Sequence, residues 1–489
     1  PQDVEWAFDR EGRLFVLQAR PIVPAEPTGA DGERRLWDNS NIVESYPGLT
    51  LPLTFSFVRG AYAQAFRRAC AAFFPFANPL ESRPQLFETL LGLLDGRVYY
   101  NLLSWYEMFS FLARPQHHRQ TWDRMVGVRG LETPSPPLEG TRPLHVRAMA
   151  ALGALRVLLG VRGHGRRFAR SFDTFYRRHR DAARSSPAAA RYRRVEREAA
   201  RFWHLTLFTD LCAMRYHEWV AALAARWMPE HEDLANRLLA AGEGVESVGP
   251  ARSLARIVSH VRSAPVWRER FARESDSELW RSLQAASPAN PLRAALEAHI
   301  EAFGDRGIEE LKLETVTFRE KPESLLALVR RLLDASAPVG VRREGQGRRR
   351  REAEAIVARR LGGPRRLVFE MILERARVAI RNRENLRFAR GRLFGIVRGL
   401  FREMGEQLAA AGVLAQAADF FYLTTDEVLG CVEGTGVTRD LRALVALRRR
   451  EYAGFAERRP PDRFETHGLP VAAPVAEPET PRDEARHLE

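Results

Sequence analysis

The 489-residue sequence predicts a mainly α protein: a large helical body preceded by a β-hairpin, with a few short strands. Three observations carry that expectation. Apolar residues recur at helical spacing over 56–75, 84–95, 145–160, 165–225, 232–242, 251–262, 291–303, 323–335, 350–415 and 437–457. Those stretches are punctuated by Pro/Gly/Ser clusters such as ETPSPPLEG (132–140), SSPAAA (185–190) and SPANP (287–291). Clear alternation of apolar and polar residues is confined to the opening residues, and no fixed-period repeat marks a solenoid.

The hairpin comes first, over residues 3–20. Val4, Trp6 and Phe8 alternate with Glu5 and Ala7, Asp9 to Gly12 make the turn, and Leu14 to Leu17 return. With that loop, Glu5 is expected opposite Val16, and Gln18 and Arg20 on the same face as Glu5. A carboxylate, an amide and a guanidinium suit a nucleotide–Mg²⁺ site, because a hard cation takes oxygen ligands and arginine forks onto phosphate oxygens. A solvent-facing polar side of a hairpin has the same pattern, so spacing alone leaves both readings open.

A polar linker over 24–35 leads to WDNSNIVESYPGLTLPLTFSFVRGAY (37–62), where a polar loop and a Pro-Gly turn feed an apolar helix. VYYNLLSWYEMFSFL (98–112) reads as a core aromatic stripe. FGDRGIEELKLETVTFREKP (303–322) reads as a helix C-cap at Gly304 followed by a turn of local ion pairs, or as polar groups turned to a ligand. In RNRENLRFARGRLFGIVRGLFREMG (381–405), a helix, Arg383, Arg387 and Arg390 share one face at i, i+4 and i+7, with Glu384 adjacent. Such a row would stabilise a transferring phosphoryl group; an exposed, self-compensating arginine stripe is the plainer alternative. DFFYLTTDEV (419–428) reads as a short strand and a helix capped by Thr424 or Thr425. From 458 the sequence turns rich in Pro, Ala and Glu, as a linker does.

Composition excludes several functions. Net charge is +14, but Lys312 and Lys321 are the only lysines, and the arginines are spread among glutamates through the helices. That bias reads as genome composition, with i,i+4 pairing, rather than a nucleic-acid surface. The run RREGQGRRRREAEA (342–355) reads as a solvated loop leading into a helix. No stretch approaches the ~18 uncharged apolar residues of a membrane span, so no membrane partner is expected. Cys70, Cys212 and Cys431 match no metal-ligand spacing and suit a reducing, cytoplasmic setting.

DVEWAFDREGRLFVLQARPI resembles the end of the ATP-grasp domain of the phosphoenolpyruvate synthase and pyruvate phosphate dikinase family, where an acidic-aromatic strand precedes a Q-x-R-P strand. Asp3, Glu5, Gln18, Arg20 and Pro21 carry that match. Residues 37–62 and 98–112 resemble the junction after that domain in the phosphoenolpyruvate synthase-like and rifamycin phosphotransferase-like members. Arg383–Phe388 and Gly412–Glu427 resemble the group's R-E-N-x-(R/K)-F and following elements.

The resemblance implies that ATP phosphorylates a swivelling histidine, yielding AMP and phosphate, and that the phosphohistidine passes its phosphoryl group to pyruvate or a small hydroxylated acceptor. It implies that Glu5 ligates Mg²⁺ and that Gln18 and Arg20 meet the nucleotide phosphates. Asn41, Glu44, Arg306 and Glu310 become acceptor-binding candidates, and Arg383, Glu384 and Arg387 catalytic ones. None of the twelve histidines matches the T-x-x-S-H-x-A motif that carries the phosphoryl group. The implied organisation is the end of an ATP-grasp domain (1–24), a linker (25–36), a helical acceptor-binding domain (37–457) and a linker (458–489) toward a phosphohistidine domain. A fragment of that kind is expected not to turn over ATP alone. A non-catalytic helical module that binds a ligand or partner is the alternative.

Overall fold

The computed structural model describes residues 2–8, 14–21, 33–74, 76, 78–112, 115–125, 127, 143–180, 186–240, 249–305, 311–334 and 341–468. Strands β1 (Gln2–Phe8) and β2 (Leu14–Pro21) form the antiparallel opening hairpin. Its register corrects the expected one. Glu5 lies opposite Gln18, not Val16, and Asp3 opposite Arg20: the pair Trp6↔Val16 is already one residue out of the expected register, and a bulge between Glu5 and Trp6 adds a second. One extra residue in a bulged strand offsets every pair beyond it.

Strand β3 (Arg34–Asp38) and a 3-10 turn at Ile42–Glu44 lead into α1 (Pro52–Phe73), which starts on a proline whose missing N–H costs a helix start nothing. Helix α2 (Pro84–Glu88) is short and gives way to strands β4 (Leu91–Leu94) and β5 (Arg97–Asn101). The single helix expected over 84–95 is therefore corrected. Asp95 and Gly96 both adopt positive φ, 45° and 69°, the two-residue Asp-Gly turn whose twist matches a hairpin.

Helices α3 (Leu102–Ser110), α4 (Pro115–Met125), α5 (Leu144–Leu159) and α6 (Val161–Arg180) follow, then the 40-residue α7 (Ala188–Trp227) and α8 (Leu234–Leu239). The next five are α9 (Gly249–Ser263), α10 (Pro265–Arg273), α11 (Asp276–Ala285), α12 (Pro291–Phe303) and α13 (Glu323–Asp334). Helix α11 begins on a Ser275/Glu278 capping box and α12 on Asn290, whose side chain accepts from Leu292 and Arg293 N–H. Helix α14 (Val341–Arg360) includes the arginine run expected as a loop; its arginines find glutamates one turn on, as Arg350 does Glu354 at 3.1 Å.

The 48-residue α15 (Gly363–Ala410) precedes a 3-10 turn at Ala417–Tyr422, where a strand had been expected. Helix α16 (Thr425–Glu433) is capped by Thr424 with Glu427 and closed by Gly434 at φ 77°; α17 (Leu441–Glu457) and β6 (Arg463–His467) end the described chain.

Helices α7 and α15 form the spine of the main core. Phe168, Phe172 and Phe175 of α6 pack their rings on Phe202 of α7, and Tyr192 packs edge-on to Phe401 of α15 at 4.9 Å. Helices α9 to α13 bury a second core of their own, with Ile257, Val261, Leu279, Leu325 and Val329 essentially inaccessible.

The four-stranded antiparallel sheet runs in the order β4-β5-β3-β6. Strand β6 falls inside the stretch expected as a linker (458–489), and β3 begins inside the one expected over 25–36. Its RFETH sequence pairs with β3 from Arg34↔His467 to Asp38↔Arg463. Arg34 forks onto Glu465 at 2.6 and 2.7 Å, Arg463 donates to the fully buried Asp38, and the Trp37 indole donates to Thr466 Oγ1 at 2.9 Å. The chain thus enters and leaves the helical body side by side.

Candidate functional site

The arginine row of α15 is the starting point. Leu386 and Ala389 turn inward to the core while Arg383, Arg387 and Arg390 share the adjacent face. Arg383 Nε meets Asp210 Oδ1 of α7 at 3.3 Å, and both side chains keep half of their surface open. Arg387 reaches Glu384 only at 4.0 Å. No ion pair joins Arg390 to a carboxylate among the described residues.

Three phenols sense the charge of Arg390. Tyr46 follows the 3-10 turn, Tyr62 comes from α1 and Tyr100 from β5; Tyr46 and Tyr100 are 6% and 7% exposed. Burial pushes all three phenol pKa values up, and the Arg390 guanidinium pulls each back down. Phenols held this way stay protonated and keep their O–H donors.

Burial also raises the Asp210 carboxyl, against the pull of Arg383, Arg390 and Arg387 and with a further push from Glu384. The side chain is half open to solvent, with Arg383 in contact and with Arg390, Arg387, Glu384 and the Tyr62 phenol acting on it. Guanidiniums outnumber carboxylates there, so the surroundings are positive. That arrangement can bind an anion.

Segment 311–314 fixes the loop that leads into α1. Lys312 Nζ donates to the carbonyls of Pro47 and Leu49, the latter at 3.0 Å. Glu314 accepts from Leu51 N–H at 2.9 Å and from the Thr54 hydroxyl, while Leu313 N–H donates to Thr54 Oγ1 at 2.8 Å. Burial raises the Glu314 pKa, opposed by those hydrogen bonds. Asp305 accepts from Tyr176 at 3.0 Å and from Arg319 at 2.7 Å, tying the end of α12 to α6. The lysine and acids of this stretch thus act as local structure. The candidates Arg306 and Glu310 lie outside the described residues.

Asn41 precedes the turn Ile42–Glu44, its carbonyl accepting from Glu44 N–H at 3.1 Å. Glu44 is exposed, and neither side chain pairs with the arginine row among the described contacts. The same turn instead delivers Tyr46. At the other end, the backbone register places Glu5 across from Gln18 and Asp3 across from Arg20. The side chains of Asp3, Glu5, Gln18 and Arg20 lie outside the described ones, so Mg²⁺ and nucleotide binding there is what the sequence resemblance implies. No cluster of three or more metal-ligating side chains occurs among the described residues.

Sequence reasoning found the arginine row and missed Asp210, Tyr46, Tyr62 and Tyr100. A signal for Asp210 was present: it is the one charged side chain between Arg201 and Arg215, on a stretch where Phe208, Thr209 and Cys212 are buried. The stripe 98–112 is core as expected, with Tyr100, Trp105 and Tyr106 buried.

Residues 208–384 match the model of the rifampicin phosphotransferase fourth domain. A rifampicin phosphotransferase of a Streptomyces species is 30% identical over 197 residues, covering 39% of this chain and 22% of that protein. Another, from Streptomyces sviceus, is 25% identical over 217 residues, covering 43% and 25%. An uncharacterized protein of Mycobacterium tuberculosis is 27% identical over 225 residues, covering 46% and 23%. The aligned stretches therefore span about a quarter of these relatives. The chain is similar to the rifamycin phosphotransferase-like group of phosphoenolpyruvate-utilising enzymes, and these matches support that family.

Proposed function

We propose that this chain holds the acceptor-binding helical part of an ATP-dependent phosphotransferase of the rifamycin phosphotransferase type. The observation that carries the reading is the meeting of Arg383 with Asp210, at the two ends of the segment that matches the fourth-domain model, beside the exposed Arg387. In the whole enzyme, ATP would yield AMP and phosphate, and a phosphohistidine would pass its phosphoryl group to an acceptor held here. Arg383 and Arg387 would face that phosphoryl group, with Glu384 fixing Arg387. Their positive charge matches the charge spread over the oxygens of a loose transition state.

The relatives' names favour a hydroxylated acceptor of the rifamycin kind over pyruvate. ATP and Mg²⁺ belong to the same proposal: Glu5 would ligate the cation, and Gln18 and Arg20 would meet the phosphates. Magnesium would supply charge neutralisation of the nucleotide when bound. The setting we propose is cytoplasmic. No single described helix is long and apolar enough to cross a membrane; one bent pair, Leu144–Leu159 with Val161–Arg180, passes on length and composition alone.

Thermal unfolding of the pure chain with rifampicin or with pyruvate tests the acceptor. A ligand at 100 times its Kd raises stability by ~2.7 kcal/mol. Rifampicin is expected to do so and pyruvate not, with no steady AMP production from ATP. Stabilisation by neither ligand, or turnover of ATP by the chain alone, overturns the reading. Stabilisation unaffected by Arg383→Gln and Arg387→Gln would favour a non-catalytic binding module.

A further inference from the structure

We propose that α5 is a self-association surface, on which the α5 of a second copy of this chain packs antiparallel. Helix α5, LHVRAMAALGALRVLL, is apolar on two opposite faces, and the fold covers one of them. Val146, Ala150, Gly153 and Val157 turn inward, and a Cβ on Gly153 would stand 2.6 Å from the Phe73 backbone of α1. Tyr216 of α7 donates to the Leu158 carbonyl at 3.0 Å, so the C-terminal end of the helix is held as well. On the outer face Leu144, Leu152, Leu155 and Leu159 are 78%, 49%, 52% and 59% exposed, and Ala148 and Ala151 between them are exposed too. At 3.6 residues per turn these six lie on a strip about 100° wide and ~22 Å long. A helix apolar all round is one that is covered all round.

The order of large and small residues along the strip indicates what covers it. An antiparallel two-fold centred between Ala151 and Leu152 sets Ala151 opposite Leu152, Ala148 opposite Leu155 and Leu144 opposite Leu159. Each alanine thus receives a leucine, the large-into-small fit that lets helix axes approach to about 8–10 Å. Such a contact is isologous and closes at two copies. Charge permits it. Helix α5 carries no acidic residue, and Arg147 and Arg156 flank the strip on opposite sides. The two-fold keeps each flank on its own side, so the two copies of either arginine stand ~13 Å apart along the axis, beyond the ~8 Å Debye length. An anionic lipid surface also takes leucines flanked by arginines, but it has no use for the matched order of alanine and leucine.

Sedimentation of the full chain over a concentration series tests the surface, and cysteine cross-linking reads its register. The parent is expected to pass from monomer to dimer. Leu155→Arg removes two buried leucines per dimer, each worth about tenfold, so the dimer Kd should rise roughly 100-fold. Because Leu155 is exposed in the single chain, the thermal midpoint of the monomer should not move. Under oxidation Ala151→Cys, next to the two-fold, should link to its own copy. Leu144→Cys should not, since its copies lie ~22 Å apart, but should link to Leu159→Cys in a mixture of the two. The parent, with Cys70 and Cys212 buried and Cys431 partly so, is the control for native thiols.

A chain that stays monomeric throughout overturns the proposal, as does a dimer that Leu155→Arg leaves unchanged. Self-linkage of Leu144→Cys would mean parallel helices and overturns it too. A monomer that binds phosphatidylglycerol vesicles, and loses them in Leu155→Arg, would make the strip a lipid-docking face instead.

Discussion

The two halves of α15 use the same residue for different ends. Toward its C-terminal half, Arg398 is 4% exposed, donates from Nε to Glu320 at 2.8 Å and lies over the Phe421 ring at 5.7 Å. Arg402 reaches the same carboxylate at 3.0 Å. A few turns earlier, Arg383 and Arg387 are half open, and neither has a contact as close. In a chain so rich in arginine the count of guanidiniums says little. What separates structure from function is how completely each charge is answered from within the fold.

That contrast can be broken or sharpened by substitution. The largest effect is expected for Arg398→Ala, which leaves the part-buried Glu320 with Arg402 and the Thr317 N–H; loss of one partner of a buried pair costs about 3–5 kcal/mol. Urea unfolding measures it, and a cost under about 1 kcal/mol, the range of exposed pairs, would erase the distinction.

His204 probes the opposite case, a part-buried group near like charges. Burial, then Arg68, Arg167 and His164, lower its pKa from 6.5 to about 4. The unfolded chain therefore takes the proton first, so stability falls as pH drops from 6.5 to about 4 and is flat below. His204→Leu should flatten that part of the stability–pH curve; an unchanged slope would assign it to other groups. The smallest effect is expected for Arg387→Ala, within ±0.5 kcal/mol of the parent by unfolding. Its phosphate binding should nevertheless fall, and a variant that unfolds readily instead would make Arg387 structural.

The sequence revealed those parts of the fold that short-range spacing controls. The helical stretches, the Thr424 cap and the arginine row all follow from residues within a turn or two of each other. The hairpin at 91–101 was hidden because LFETLLGLL also satisfies a helical spacing, and the Asp95-Gly96 turn decided the matter. Strand β6 was hidden for another reason. RFETH has little intrinsic preference as a strand, and its conformation comes from pairing with β3 across the whole chain. The candidate site follows the same logic. Arg383 was visible, but Asp210 meets it only once α7 and α15 are packed, and no local pattern encodes that meeting. The hairpin register failed by one residue already at Trp6↔Val16 and by a second at the bulge, and alternation foresees neither.

The pairing of β3 with β6 also has a mechanical meaning. The strands are antiparallel, with Arg34 beside His467 at the end where the chain passes in and out. Tension on the chain from both sides would open the pairs one after another, from Arg34↔His467 toward Asp38↔Arg463, rather than load them all at once. Peeling of that kind meets one ladder rung at a time, so the clasp would yield at low force. The helices behind it, which receive no pull until the last rung parts, would be spared. The clasp acts as a mechanical fuse for the body it closes.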